Sequence, residues 1–125
     1  MEIASRFFIP GILFVLTLMV GVWLSRTGRP LNTLIFTLHK LIALAAVVMT
    51  AVQVYGMLKD TQVQALLITL LVLTVLCVAA LFATGALLSA TRPVSRTLLT
   101  IHHAVPFLIV LAMTAAVYLL AGNTL

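Results

Sequence analysis

The chain has 125 residues, of which 64% are hydrophobic and 7% charged, and its formal net charge is +5. About a quarter of the residues in an average soluble domain are charged, so a compact soluble fold of this length could not hide so much apolar surface. An integral membrane protein is expected, with its cations marking topology rather than a nucleic-acid surface.

A membrane-crossing helix needs about 20 predominantly apolar residues, and four segments qualify: Phe7–Ser25, Leu34–Leu58, Val63–Ala90 and Leu98–Ala121. The alternation of polar and apolar residues that marks a membrane barrel strand is absent, which makes the expected fold class all-α. Met1–Arg6 sets Glu2 against Arg6 instead of a positive cluster. The first segment also runs into Ser25–Arg26 without a small-residue cleavage pattern, so it is expected to be a retained helix. The connections Arg26–Thr33, Lys59–Gln62 and Thr91–Thr97 are short, and short loops join antiparallel neighbours. An up-down transmembrane four-helix bundle in a single domain follows. Cys77 is the one cysteine, midway along an apolar run, so no internal disulfide can form.

Charge supplies an orientation. One face collects Arg26, Arg29, Lys40, Arg92 and Arg96, while the other has Arg6 and Lys59 offset by Glu2 and Asp60. Basic loops stay in the cytoplasm, so both termini are expected outside a bacterial or archaeal cytoplasmic membrane.

The chain also repeats itself. An offset of 63 places Arg29–Pro30 on Arg92–Pro93, Thr37 on Thr100, His39 on His102 and Tyr55 on Tyr118. Upstream, an offset of 64 places Gly21 on Gly85, Leu24 on Leu88 and Ser25 on Ser89, as one extra residue in the first loop would produce. The repeat halves, about 10–59 and 74–122, run in the same direction, which implies a pseudo-two-fold axis along the membrane normal.

His39 and His102 each lie nine residues past a proline, one to two helical turns inside the cytoplasmic surface at about 1.5 Å per residue. Gly21 and Gly85 reach the same layer from the other direction. Around the histidines, Phe36, Ile42, Ala43, Ala46, Thr50 and Gln53 share one face of the second helix. Leu99, Val105, Pro106, Ile109, Ala112 and Ala116 share the matching face of the fourth. Such small, weakly polar faces suit a packed interior. An ionisable side chain inside a membrane is expensive and marks a candidate functional site.

Two readings of the pair are open. In one, the imidazoles are hydrogen-bonded residues near helix ends. In the other they are trans axial ligands of a b-type haem, with Gly21 and Gly85 making room for the flat macrocycle and Arg29, Arg92 and Lys40 pairing with its propionates. His103, the registry partner of Lys40, is expected to meet headgroups, a propionate or a quinone, and is the fallback ligand. In this hairpin layout and in His39 and His102, the chain resembles the four-helix bis-histidine membrane cytochromes b of the cytochrome b561 kind. The resemblance implies haem b and electron transfer with a quinone or a redox-partner protein. Members of that kind carry four ligating histidines and two haems, whereas this chain has three histidines near one surface. It therefore supports one haem per chain, and electron transfer across the whole bilayer would need a partner or a second chain.

Other residues carry less. Pro106 removes the usual donor to the His102 carbonyl and is expected to kink the fourth helix. Tyr55, Tyr118 and Trp23 read as interfacial belt residues, and Met49 and Met113 as gap fillers. A haem-free accessory or anchor subunit of a larger membrane complex is the competing class, and assembly as a homo-oligomer or within a larger membrane complex is open under either reading. A cation exporter is disfavoured because no carboxylate lies within a span, and a zinc site because the ligand shell would be incomplete.

Overall fold

The computed structural model describes residues 2–28, 30–90 and 95–124, with side chains to residue 122. It is all-α: α1 spans Glu2–Arg26, α2 Thr33–Leu58, α3 Ala65–Ala90 and α4 Arg96–Thr124, and no strand occurs among the described residues. All four helices are long and apolar enough to cross a membrane, which marks the chain as an integral membrane protein.

The helices differ from the expected spans mainly at the two outer ends. α1 starts five residues before Phe7 because Glu2 and Arg6 form an i,i+4 ion pair at 2.7 Å. Glu preceding Arg, at a helix N-terminus, is the favourable order for both the pair and the helix dipole. α1 then continues through Pro10 to Arg26 and stops at Gly28, whose φ of +71° is the left-handed conformation that ends helices. α2 starts on Asn32, whose Oδ1 accepts from the backbone N–H groups of Leu34 (3.0 Å) and Ile35 (3.2 Å). α4 starts on Ser95, whose Oγ accepts from Leu98 N–H at 3.4 Å. Asn32 and Ser95 are 63 residues apart, so the repeat reaches into the caps themselves.

The chain divides into two units, 1–59 and 60–125, each an antiparallel helical hairpin. In the first, α1 packs on α2. Val20, Leu24 and Ile35 form its core near the connecting loop, with Leu31, Phe36 and Ile42 against it. In the second, α3 packs on α4 around Leu67, Ala116 and Leu120, which are completely enclosed.

The covered positions follow one rule in both hairpins. On α2 they recur at His39, Ile42, Ala46, Met49 and Gln53, and on α4 at His102, Val105, Ile109, Ala112 and Ala116. These alternate steps of three and four are the spacing of a knobs-into-holes seam. The facing seams are Pro10, Phe14, Thr17, Gly21 and Leu24 on α1, and Thr74, Val78, Leu81, Gly85 and Leu88 on α3. Each seam matches its counterpart position for position at the offsets of 63 and 64, with identical residues at Gly21/Gly85, Leu24/Leu88 and His39/His102. Both histidines and both glycines therefore lie on packed seams. Outside the seams, apolar side chains such as Phe8, Met19, Leu34, Val75, Phe107 and Leu111 are exposed, which costs nothing against lipid chains as apolar as leucine.

Candidate functional site

Seven residues past its cap, each histidine has completed about two turns of helix and turns its ring onto the neighbouring helix. In the first hairpin the ring of His39 lies against Gly21. A Cβ built on Gly21 would stand 3.0 Å from Cε1 and 3.4 Å from Nδ1 of that ring. In the second, a Cβ on Gly85 would stand 3.3 Å from Cε1 of His102. Each glycine is thus where an imidazole and a helix backbone meet. The clearance that the sequence assigns to a macrocycle is taken by the histidine ring itself, because a close ring-on-backbone contact needs the same missing Cβ.

Hydrogen bonds orient both rings. Nδ1 of His39 lies 3.1 Å from the main-chain carbonyl oxygen of Thr17. A carbonyl only accepts, so this nitrogen carries the proton and the lone pair stays on Nε2. Nδ1 of His102 lies 2.9 Å from Oγ1 of Thr84, and that hydroxyl is 2.7 Å from the carbonyl oxygen of Ala80. A hydroxyl has one proton; given to Ala80, it leaves Oγ1 to accept from Nδ1–H of His102. Nδ1 of each ring thus faces an oxygen of the neighbouring helix that can accept its proton, and a neutral ring so placed keeps its lone pair on Nε2. Metal-bound histidines have this arrangement, with the non-ligating nitrogen donating to a carbonyl or hydroxyl.

The remaining expected site residues are placed as follows. Lys40 is exposed and its ammonium sits 4.3 Å over the Phe36 ring, a cation–π contact at the same end of α2 as His39. His103 is exposed, with its ring centroid 6.5 Å from that of His102 and the planes tilted by 52°. Arg29 and Arg92 lie outside the described residues. The faces expected to turn inward are covered, except for Leu99, which is exposed. Tyr55, Tyr118 and Trp23 are exposed, and Lys59 Nζ lies 4.7 Å over the Tyr55 ring. Pro106 is accommodated within a continuous α4.

Among the described residues no three His, Cys, Asp or Glu side chains gather into a metal-binding group. The ligand chemistry at this depth is the imidazole of His39 in the first hairpin and those of His102 and the exposed His103 in the second. Thr84 and the Thr17 carbonyl are missed by a reading of the sequence alone. Thr84 has a signal, a hydroxyl residue adjoining Gly85 in a very apolar helix. Thr17 has none, since it acts through its main chain while its own hydroxyl donates to Leu13.

No protein-family model, curated protein or solved structure matches the chain.

Proposed function

We propose that the chain is a membrane-embedded b-type cytochrome in which His39 and His102 would hold one haem b near the cytoplasmic face. It exchanges electrons with a quinone or a redox-partner protein. The observation that carries this reading is the shared state of the two imidazoles. Each sits at the same register of its hairpin, two turns from a cap, with Nδ1 engaged by the facing helix.

The residues fit the group in kind. Haem iron takes two nitrogen ligands, so one imidazole from each hairpin completes the set without a third ligand. Lys40 beside His39, with Arg29 and Arg92 in the adjoining loops, supplies positive charge for propionates. Haem would contribute a one-electron carrier. The protein's own residues engage Nδ1 of each ring, which would leave Nε2 as the ligating nitrogen, and gather five of the seven cations around the first and third loops.

The test is a dithionite-reduced minus oxidised visible spectrum of the purified chain, expressed with ample haem supply. A sharp α band in the b-type region is expected, lost in His39→Ala and in His102→Ala and retained in His103→Ala. Absence of the band overturns the reading in favour of a haem-free subunit of a larger membrane complex. Loss of the band in His103→Ala, with retention in His102→Ala, moves the second ligand to His103.

A further inference from the structure

At the histidine layer the two halves of the repeat differ in how the ring meets the facing main chain. By the offset of 64, the counterpart of Thr17 is Leu81 and the counterpart of Thr84 is Val20. In the first hairpin the imidazole reaches the Thr17 carbonyl directly, at 3.1 Å. In the second, the hydroxyl of Thr84 stands 3.2 Å from the Leu81 carbonyl, which is the counterpart acceptor, and 2.7 Å from that of Ala80. The same hydroxyl is 2.9 Å from Nδ1 of His102. A buried hydroxyl has thus been inserted between ring and main chain in one half only.

We propose that Thr84 is a positioning residue for His102, which relays the Nδ1 proton contact to the main chain and makes the two imidazoles chemically unequal. The Thr17 carbonyl can only accept, so it fixes His39 in a single tautomer. A hydroxyl can accept or donate, and the short contact to Ala80 points the Thr84 proton away from the ring, leaving Oγ1 to accept from Nδ1–H of His102. An amide carbonyl is also a stronger acceptor than a hydroxyl, so His39 is the more electron-rich of the two nitrogen donors. The hydroxyl's own bond to Ala80 polarises it and recovers part of that difference. The redox consequence rests on the haem reading above, and the tautomer does not.

The experiment uses the full chain in detergent or nanodiscs with nitrogen-15 labelled histidine, reduced with dithionite so that any bis-histidine haem is diamagnetic. In the unsubstituted chain His39 and His102 are expected to show protonated Nδ1. Thr84→Val, nearly the same shape, should shift or broaden the His102 Nδ1–H signal and leave that of His39 in place; Thr84→Ser should restore it. In the haem-loaded chain Thr84→Val should raise the midpoint potential, because the ligand loses the acceptor that enriches it, and Thr84→Ser should return it. An unprotonated His102 Nδ1 in the unsubstituted chain, or a His102 signal indifferent to Thr84→Val, overturns the assignment. If the chain binds no haem, the cytochrome reading falls and the nitrogen spectra alone decide the role of Thr84.

Discussion

The ring of His39 occupies the space in which Gly21 would carry a side chain, with Cε1 3.0 Å from the position of the missing Cβ. The equivalent separation between His102 and Gly85 is 3.3 Å, so the first hairpin is the more tightly closed at this layer.

That difference orders two substitutions. Gly21→Ala has to push aside a ring that is also hydrogen-bonded to Thr17, and overpacking of this kind costs about 1–3 kcal/mol. Alanine in a helix offsets up to about 1 kcal/mol relative to glycine. Gly85→Ala meets its ring a few tenths of an ångström later and should be close to neutral. Thermal unfolding in detergent is expected to show a lower midpoint for Gly21→Ala than for Gly85→Ala. The opposite order would mean that the imidazole of His39 does not rest on Gly21.

The paired caps give a second contrast. Asn32 accepts two backbone N–H groups at 3.0 and 3.2 Å, whereas Ser95 accepts one at 3.4 Å. Losing an N-cap acceptor typically costs about 1 kcal/mol. Asn32→Ala should cost about that much and Ser95→Ala less, read from the same unfolding curves. Hydrogen exchange of Leu34 and Ile35 should rise in Asn32→Ala. Unchanged exchange there would show that the cap is not formed in the membrane.

How much of this was legible in the residues differs from feature to feature. Four helices follow from hydropathy and loop length, since a bilayer leaves an apolar chain few other ways to satisfy its backbone. The alignment of His39 with His102 and of Gly21 with Gly85 placed histidine and glycine in one layer, and each hairpin does bring its own pair into contact. Pattern alone could not say what the glycines make room for, because a ring on the same protein and a flat cofactor both require an absent Cβ. The acceptor for His39 was hidden for another reason: a main-chain carbonyl has no letter in the sequence. The extra turn of α1 before Phe7 lies outside any apolar span, and its signal is the i,i+4 spacing of Glu2 and Arg6.

The second hairpin predicts a sharp division between seam and lipid face. Ala116 is completely enclosed, and Ala116→Leu forces three extra carbons into a closed seam, at a cost of about 1–3 kcal/mol. Leu120 is equally enclosed, and Leu120→Ala should cost about 2–5 kcal/mol through the cavity it leaves. Leu111, 69% exposed, faces away from the seam, and Leu111→Ala should stay within about 0.5 kcal/mol. Equal losses at Leu111 and Leu120 would place an unrecognised protein surface over Leu111.

Orientation supplies the last prediction. By sequence, Arg26, Arg29 and Lys40 flank the first loop and Arg92 and Arg96 the third, five cations with no acid among them. Elsewhere, Arg6 is neutralised by Glu2 at 2.7 Å and Lys59 adjoins Asp60. Because four crossings return the chain to its starting side, both termini should lie outside the cytoplasm. Alkaline phosphatase fused after Leu125 should be active, and a fluorescent protein fused there and exported unfolded should stay dark. Replacing Arg26, Lys40 and Arg96 together by glutamine removes three of the five retained cations and should yield a mixed population. A bright cytoplasmic fusion on the unsubstituted chain would reverse the orientation, and with it the side of the membrane on which His39 and His102 lie.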